Sequence, residues 1–201
     1  MSCNISCVPL FPSSILTLNV EDEFSNLLKL KEYEYLENSC GNLCYSTNSI
    51  QILDDFPAEK EKLQSYFDLI KDSVLRYKDT QFKITTSWGT KCEPMGGSQY
   101  HQHRNCMYTA VLYYDECDNV GNLEFENFDK KGSFDVKPDS YNIHNSTEWK
   151  IHPVKNLLVI FPSYLYHRIG CNPDQTYDRY SLALNFHPYG QYGDSDSTFI
   201  Q

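Results

Sequence analysis

The sequence predicts a mainly-β fold with helices near its start, and three observations carry that reading. From residue 81 onward, apolar residues recur at every second position in short runs. Turn residues separate those runs at intervals typical of a β-sandwich or jelly roll. The chain also carries sixteen Tyr and eleven Phe among 201 residues, rings that suit a pleated, half-buried surface. Hydrophobic residues make up 40 % and charged residues 22 %, a globular composition. The expected organisation is one domain over 1–201, with 1–80 a helical support region and 81–190 a β core.

In chain order, Ser14 to Val20 alternates apolar and polar residues and predicts a strand. Phe24, Leu27 and Leu28 follow at helical spacing behind Asn19, Glu21 and Asp22, residues that suit a helix start. Residues 37–49 read as loop. The clearest helix comes next. Asp54 or Asp55 can cap it, Pro57 suits its first turn, Leu63, Tyr66, Phe67, Ile70 and Val74 form its apolar face, and it should end near Lys78. Strands are expected from Phe82 to Trp88, Ser98 to His103, Met107 to Tyr114, Asn122 to Glu126, Thr147 to Ile151, Leu157 to Phe161 and Arg179 to Phe186. Turns fall at Gly96-Gly97, Asn119 to Gly121, Asp129 to Gly132, Pro138-Asp139 and Asn172 to Asp174.

The net charge of -10 argues against nucleic acid and anionic membranes, since phosphate would be repelled. It suits a small-molecule substrate or a neutral-to-basic protein partner. The opening residues lack the basic region and apolar core of a signal peptide, and Leu157 to Phe161 is too short to span a bilayer. A soluble, cytoplasmic protein is expected, with its eight cysteines reduced. Cys3/Cys7 and Cys40/Cys44 form two C-x3-C pairs whose four thiolates could hold a structural zinc.

The chemistry concentrates in the histidines. His101 and His103 lie two apart, so on a strand both imidazoles leave the same face, about 7 Å apart by strand rise. Two nitrogens at that reach can chelate one metal, and His167, after the buried run LLVIF and the turn at Pro162-Ser163, is the best third ligand. Arg179 opens the strand RYSLALNF. Tyr180, Leu182, Leu184 and Phe186 form its apolar face, while Arg179, Ser181, Ala183 and Asn185 form the other. A guanidinium, a hydroxyl and an amide around a small residue suit a cavity for an anion, and Arg grips carboxylate through a planar fork.

The order H-x-H, TAVLYYD, GNLEF, a buried strand ending FPS, then His167 and Arg179, resembles the 2-oxoglutarate/Fe(II) oxygenases. It is most similar to the prolyl-4-hydroxylase-like branch and to small oxygenases of marine bacteria and phages. LFPSSILTL and STNSIQILDD resemble the same group. The resemblance implies a double-stranded β-helix fold (jelly-roll, cupin-like), Fe(II) as cofactor and 2-oxoglutarate and dioxygen as cosubstrates. It implies that His101 and His167 are the family's metal histidines and that Arg179 clamps the far carboxylate of 2-oxoglutarate. Tyr114 and Ser181 would assist Arg179, and Trp88 would line the pocket. His103 departs from the pattern, since the family places Asp or Glu there. Three neutral imidazoles leave a divalent ion its full charge, which the 2-oxoglutarate dianion would neutralise. The implied reaction is hydroxylation of an unidentified peptide or small molecule, a peptidyl proline being suggested by the resemblance, with Lys91 to Gly97 and Asp129 to Asn145 as substrate-contacting loops. Two other readings stand beside it: a cupin-like three-histidine metalloenzyme that uses no 2-oxoglutarate, and a non-catalytic metal-binding protein.

Overall fold

The computed structural model describes residues 12–20, 24–77, 79–127, 136–173 and 177–200. Its strands are β1 (Leu16–Asn19), β2 (Tyr35–Glu37), β3 (Gly41–Thr47), β4 (Gln81–Ser98), β5 (Tyr108–Tyr113), β6 (Leu123–Glu126), β7 (Glu148–Ile151), β8 (Leu157–Pro162), β9 (Tyr166–Ile169), β10 (Arg179–Tyr189), β11 (Gln191–Tyr192) and β12 (Phe199–Ile200). A seven-stranded sheet runs β1-β8-β5-β10-β4-β3-β2, and a three-stranded sheet runs β7-β6-β9. Every neighbouring pair in both sheets is antiparallel. β11 and β12 pair separately. The result is the double-stranded β-helix architecture, two sheets with a core between them.

The large sheet is covered on both faces, which explains why β5 is buried at all six positions. Val111 and Tyr113 of β5 and Val159 and Phe161 of β8 point between the sheets, where they meet Leu123 and Phe125 of β6. The alternate residues Ala110, Leu112, Leu158, Ile160, Leu182, Leu184 and Phe186 point the other way and pack beneath the helical layer. That layer is a 3-10 helix, Ser25–Glu32, and the helix α1, Pro57–Ile70. Leu27 and Leu30, then Leu63, Phe67 and Ile70, are its buried contacts.

Several expectations are corrected here. Residues 37–49 are not loop: β3 occupies most of them and extends the sheet. Their mixed polarity comes from lining a cavity rather than a dry core. The 1–80 region therefore contributes β1, β2 and β3 to the large sheet as well as helices. Neither Asp54 nor Asp55 caps α1. The N-cap is Phe56 with no side-chain hydrogen bond, and both aspartates lie in the preceding 3-10 turn Ile52–Asp55. There Asp54 pairs with Lys60 at 2.6 Å and Asp55 accepts from the Tyr33 hydroxyl at 3.1 Å. The last turn of the helix widens into a π-turn, Lys71–Leu75, and ends at the left-handed Arg76, φ 64°, two residues before the expected end. Lys91 to Gly97, expected as a loop, is the second half of β4. Conversely Ser98 to His103 is not a strand beyond Ser98; only an isolated bridge at His101 continues the pairing. β9 was not expected.

Phe67 ties helix to sheet. It is fully buried and stacks on Phe186 at 3.9 Å, with Phe82 and Tyr108 at 5.4 and 5.6 Å. Phe67→Ala should destabilise the fold by about 3–5 kcal/mol. A melting point lower by roughly 10 °C is the expected readout at this chain length.

Candidate active site

The inner face of the large sheet is assembled in cross-strand rows. Cys44, Cys92 and Arg179 are directly opposed on β3, β4 and β10; Ser46, Thr90 and Ser181 form the next row. Trp88, Ala183 and Val111 follow on β4, β10 and β5, then Thr86, Asn185 and Thr109. The predicted face of β10, Arg179, Ser181, Ala183 and Asn185, is thus one continuous stripe. Its apolar alternates Leu182, Leu184 and Phe186 lie in the core under the helices, with Tyr180 packed at that core's edge.

The histidines come from the opposite wall. The backbone of His101 pairs reciprocally with that of His167, N–H to carbonyl at 3.0 and 2.9 Å, and the His103 N–H donates to the Ser163 carbonyl at 3.0 Å. Directly opposed residues share a face, so the 101/103 pair and His167 point into the same hollow. Ring centroids lie 5.4 Å apart for 101 and 103, 4.5 Å for 101 and 167, and 5.0 Å for 103 and 167. One nitrogen from each falls within 4.8 Å of the others, the only such cluster of possible metal ligands among the described residues.

Each ring is held at its Nδ1. His101 faces the Gln99 carbonyl at 2.9 Å, His167 the Leu165 carbonyl at 2.9 Å, and His103 the Asn185 Oδ1 at 2.8 Å. Oxygens of that kind accept a proton and leave Nε2 as the bare lone pair, the tautomer a metal ligand needs. Burial, and then its two histidine neighbours, push the His167 pKa down to about 3. Burial also lowers that of His103. Both rings are neutral at physiological pH. A set of three converging imidazole nitrogens fits a divalent first-row ion.

Arg179 lies beside this cluster, 1 % exposed. One Nη donates to the Tyr113 hydroxyl at 2.9 Å and the other approaches Ser181 Oγ at 3.4 Å, while Nε has no partner. No described carboxylate pairs with the guanidinium. A buried cation without a counter-ion is costly, and its charge and unpartnered N–H fit a dianion such as 2-oxoglutarate. Ser181 is held by Thr90 at 2.6 Å. Burial raises the Tyr113 pKa, which keeps the phenol protonated and able to donate.

Tyr114 is corrected. It sits with the core beneath the helices, on the far side of the sheet, and its neighbour Tyr113 meets Arg179. Strand alternation explains the error, because one residue of slip reverses the face. Counting by twos from Thr109 through Val111 reaches Tyr113, and the register that sets Ala183 opposite Val111 turns this face toward Arg179. Thr90, two residues beyond Trp88, was legible in the same way. Asn185 shares the expected face with Arg179 but lines the outer groove, where its amide oxygen faces His103.

Two hollows share His101, His103 and Trp88 as a common wall. The inner one, about 60 Å³, is lined by Arg179, Ser181 and Thr90; the outer groove, about 440 Å³, by Asn38, Ser46, Arg104 and Asn185. The Trp88 ring stands 5.3 Å from that of His103. Cys3 and Cys7 lie outside the described residues, Cys40 is exposed, and Cys44 is buried opposite Cys92 at the inner cavity.

The family model described as "Putative 2OG-Fe(II) oxygenase" matches residues 86–185, a segment that contains the three histidines and Arg179. The chain belongs to the 2-oxoglutarate/Fe(II) oxygenase superfamily. That family takes its name from the metal and cosubstrate of its chemistry, Fe(II) and 2-oxoglutarate. Among solved structures, a prolyl-4-hydroxylase from Pseudomonas putida aligns with a TM-score of 0.58 at 16 % identity, covering 89 % of this chain and 94 % of its own. A prolyl hydroxylase from Trichoplax adhaerens, in complex with a hypoxia inducible factor peptide, aligns at 0.57 and 14 % identity, with 86 % and 83 % covered. HygX from Streptomyces hygroscopicus, with nickel and 2-oxoglutarate bound, aligns at 0.57 and 9 % identity, with 88 % and 83 % covered. No curated protein matches the sequence. No helix among the described residues of this oxygenase is long and apolar enough to cross a membrane.

Proposed function

We propose that the chain is a 2-oxoglutarate-dependent dioxygenase that hydroxylates a substrate lying in the outer groove. His101, His103 and His167 would hold Fe(II), and Arg179 with Tyr113 would hold the far carboxylate of 2-oxoglutarate in the inner cavity. The observation that carries the reading is the buried, uncompensated Arg179 beside three imidazoles whose nitrogens converge. When bound, iron and 2-oxoglutarate supply the oxidising equivalent for C–H hydroxylation.

The chain's own residues do the rest. Arg179 offers a planar fork to the carboxylate, and the Tyr113 hydroxyl, already accepting from the guanidinium, has its own proton left to donate. Ser181, fixed by Thr90, closes the other side. Burial of this end strengthens each of these bonds. Trp88 and the His101/His103 pair separate the cosubstrate from the groove, so the substrate's reacting carbon would face the metal from the Arg104 side. HygX was crystallised with nickel and 2-oxoglutarate, which supports the ligand pair. The prolyl hydroxylase neighbours motivate peptidyl proline as the first substrate to try.

An anaerobic titration of Fe(II) and 2-oxoglutarate, followed by the visible charge-transfer band, tests the reading. Wild-type protein should develop the band. Tyr113→Phe should weaken 2-oxoglutarate binding about 10-fold, the loss of one hydrogen bond to a charged group, whereas Tyr114→Phe should leave it unchanged. No band in wild-type protein, or equal effects of the two tyrosines, would refute the assignment.

A further inference from the structure

His103 occupies the place of a carboxylate in the family pattern, and its support differs from that of the other two histidines. His101 and His167 are held by backbone carbonyls, which can only accept. His103 alone meets side chains at its Nδ1, Asn185 at 2.8 Å and Thr109 at 3.2 Å. Asn185 is fixed in the row Thr86–Asn185–Thr109 across β4, β10 and β5. Its Nδ2 donates to Thr86 Oγ1 at 2.9 Å, and its Oδ1 accepts from the Thr109 hydroxyl at 2.8 Å and faces His103 Nδ1 at 2.8 Å. Thr109 is itself fully buried and held by Ser163 at 2.9 Å. With the amide nitrogen turned to Thr86, the imidazole Nδ1 meets two oxygens, Asn185 Oδ1 at 2.8 Å and, further off, Thr109 Oγ1 at 3.2 Å, whose hydroxyl proton goes to Asn185. His103 must then carry its proton on Nδ1 and turn a bare Nε2 to the cluster.

We propose that Asn185 is the positioning residue that makes His103 a metal ligand, by fixing its tautomer and ring orientation through a neutral acceptor. The inference rests on the reading above that the three histidines hold a divalent ion, and adds what allows an imidazole to replace a carboxylate there. An amide orients the ring without adding charge, so the ion keeps its full attraction for a dianionic cosubstrate. A carboxylate in the same place would orient the ring equally well and make it a stronger donor.

Cobalt(II) is the probe, titrated into the full chain and followed by its visible ligand-field absorption. Wild type should bind with the spectrum of a nitrogen-rich site. Asn185→Leu should bind roughly 10- to 100-fold more weakly, the loss typical of removing an outer partner of a ligating histidine, with an altered spectrum. Asn185→Asp should bind at least as tightly as wild type. Thr86→Val, which frees the amide to present its nitrogen to His103, should weaken binding several-fold; it carries the test if Asn185→Leu does not fold. A merely structural role would lower the melting temperature of these variants and leave the affinity and spectrum of the folded protein alone. Unchanged Co(II) affinity in both Asn185→Leu and Thr86→Val overturns this inference while leaving the three-histidine reading intact. Absence of Co(II) binding by wild type overturns both.

Discussion

Arg179→Met is expected to abolish 2-oxoglutarate binding while raising the melting temperature of the metal-free protein. The two effects have one cause. The guanidinium is buried to 1 % exposure, with a phenol, a distant serine hydroxyl and one unpartnered Nε around it, and no described carboxylate pairs with it. Its charge lies against the Tyr113 ring, 5.0 Å from the centroid, a contact that recovers part of the desolvation cost. Replacing buried charge by apolar volume is often stabilising by about 1–4 kcal/mol. At this length each kcal/mol moves the melting temperature by roughly 2–4 °C. Binding responds in the opposite direction. A dianion entering the same cavity would leave its far carboxylate buried and unpaired, a loss of about 3–5 kcal/mol, or roughly two to four orders of magnitude in affinity. Arg179→Lys should recover little, since an ammonium cannot make the two-point fork. Thermal denaturation and an anaerobic 2-oxoglutarate titration measure the pair. A destabilised variant that still binds the cosubstrate would show that Arg179 serves the fold and not the ligand.

His167→Leu should remove metal binding and, in the metal-free protein, flatten the dependence of stability on acid. Losing an outer partner of a metal histidine costs 10- to 100-fold in affinity, so losing the ligand itself should cost at least about 100-fold. Leucine keeps apolar volume against Phe161, whose ring is 4.7 Å from the imidazole, and against Phe125. The fold should therefore survive. In the wild type, the folded His167 protonates near pH 3, well below the 6.5 of a free imidazole. Between those values the unfolded chain binds the extra proton and the folded chain does not. The stability contributed by neutral His167 is therefore complete above about pH 6.5 and is lost as pH falls toward about 3. Denaturant melts of metal-free protein across that window should show a shallower slope for His167→Leu than for wild type. Identical slopes would mean that the burial of this imidazole does not govern its proton.

Much of this molecule was readable from period and order. Alternation located β5 and β8 within a residue, and β10 at its start though three residues short at its end, because each must bury every second side chain and its partners are equally regular. The helical face through Leu63, Phe67 and Ile70 was as plain. H-x-H followed by a distant His and Arg indicated the chemistry, since those residue types have few other uses together. Failures came where local signals point to a different structure from the one tertiary contacts impose. β3 reads as loop because its residues face a polar cavity, and β9 is too short to show a period. The Tyr113/Tyr114 choice required knowing which face of β5 meets Arg179, and the sequence resemblance alone selected the wrong neighbour.

By itself the sequence determined the strand-and-helix alternation, the metal-type donors and the cation beside them, because side-chain chemistry and backbone period are local properties. The tertiary structure decided how they converge. Backbone pairing of His101 with His167 turns residues 66 positions apart into one cluster. Cross-strand register sets Tyr113 against Arg179 and Asn185 against His103. Register is a relation between strands distant in the chain, fixed by the packing of two cores, and no single segment encodes it.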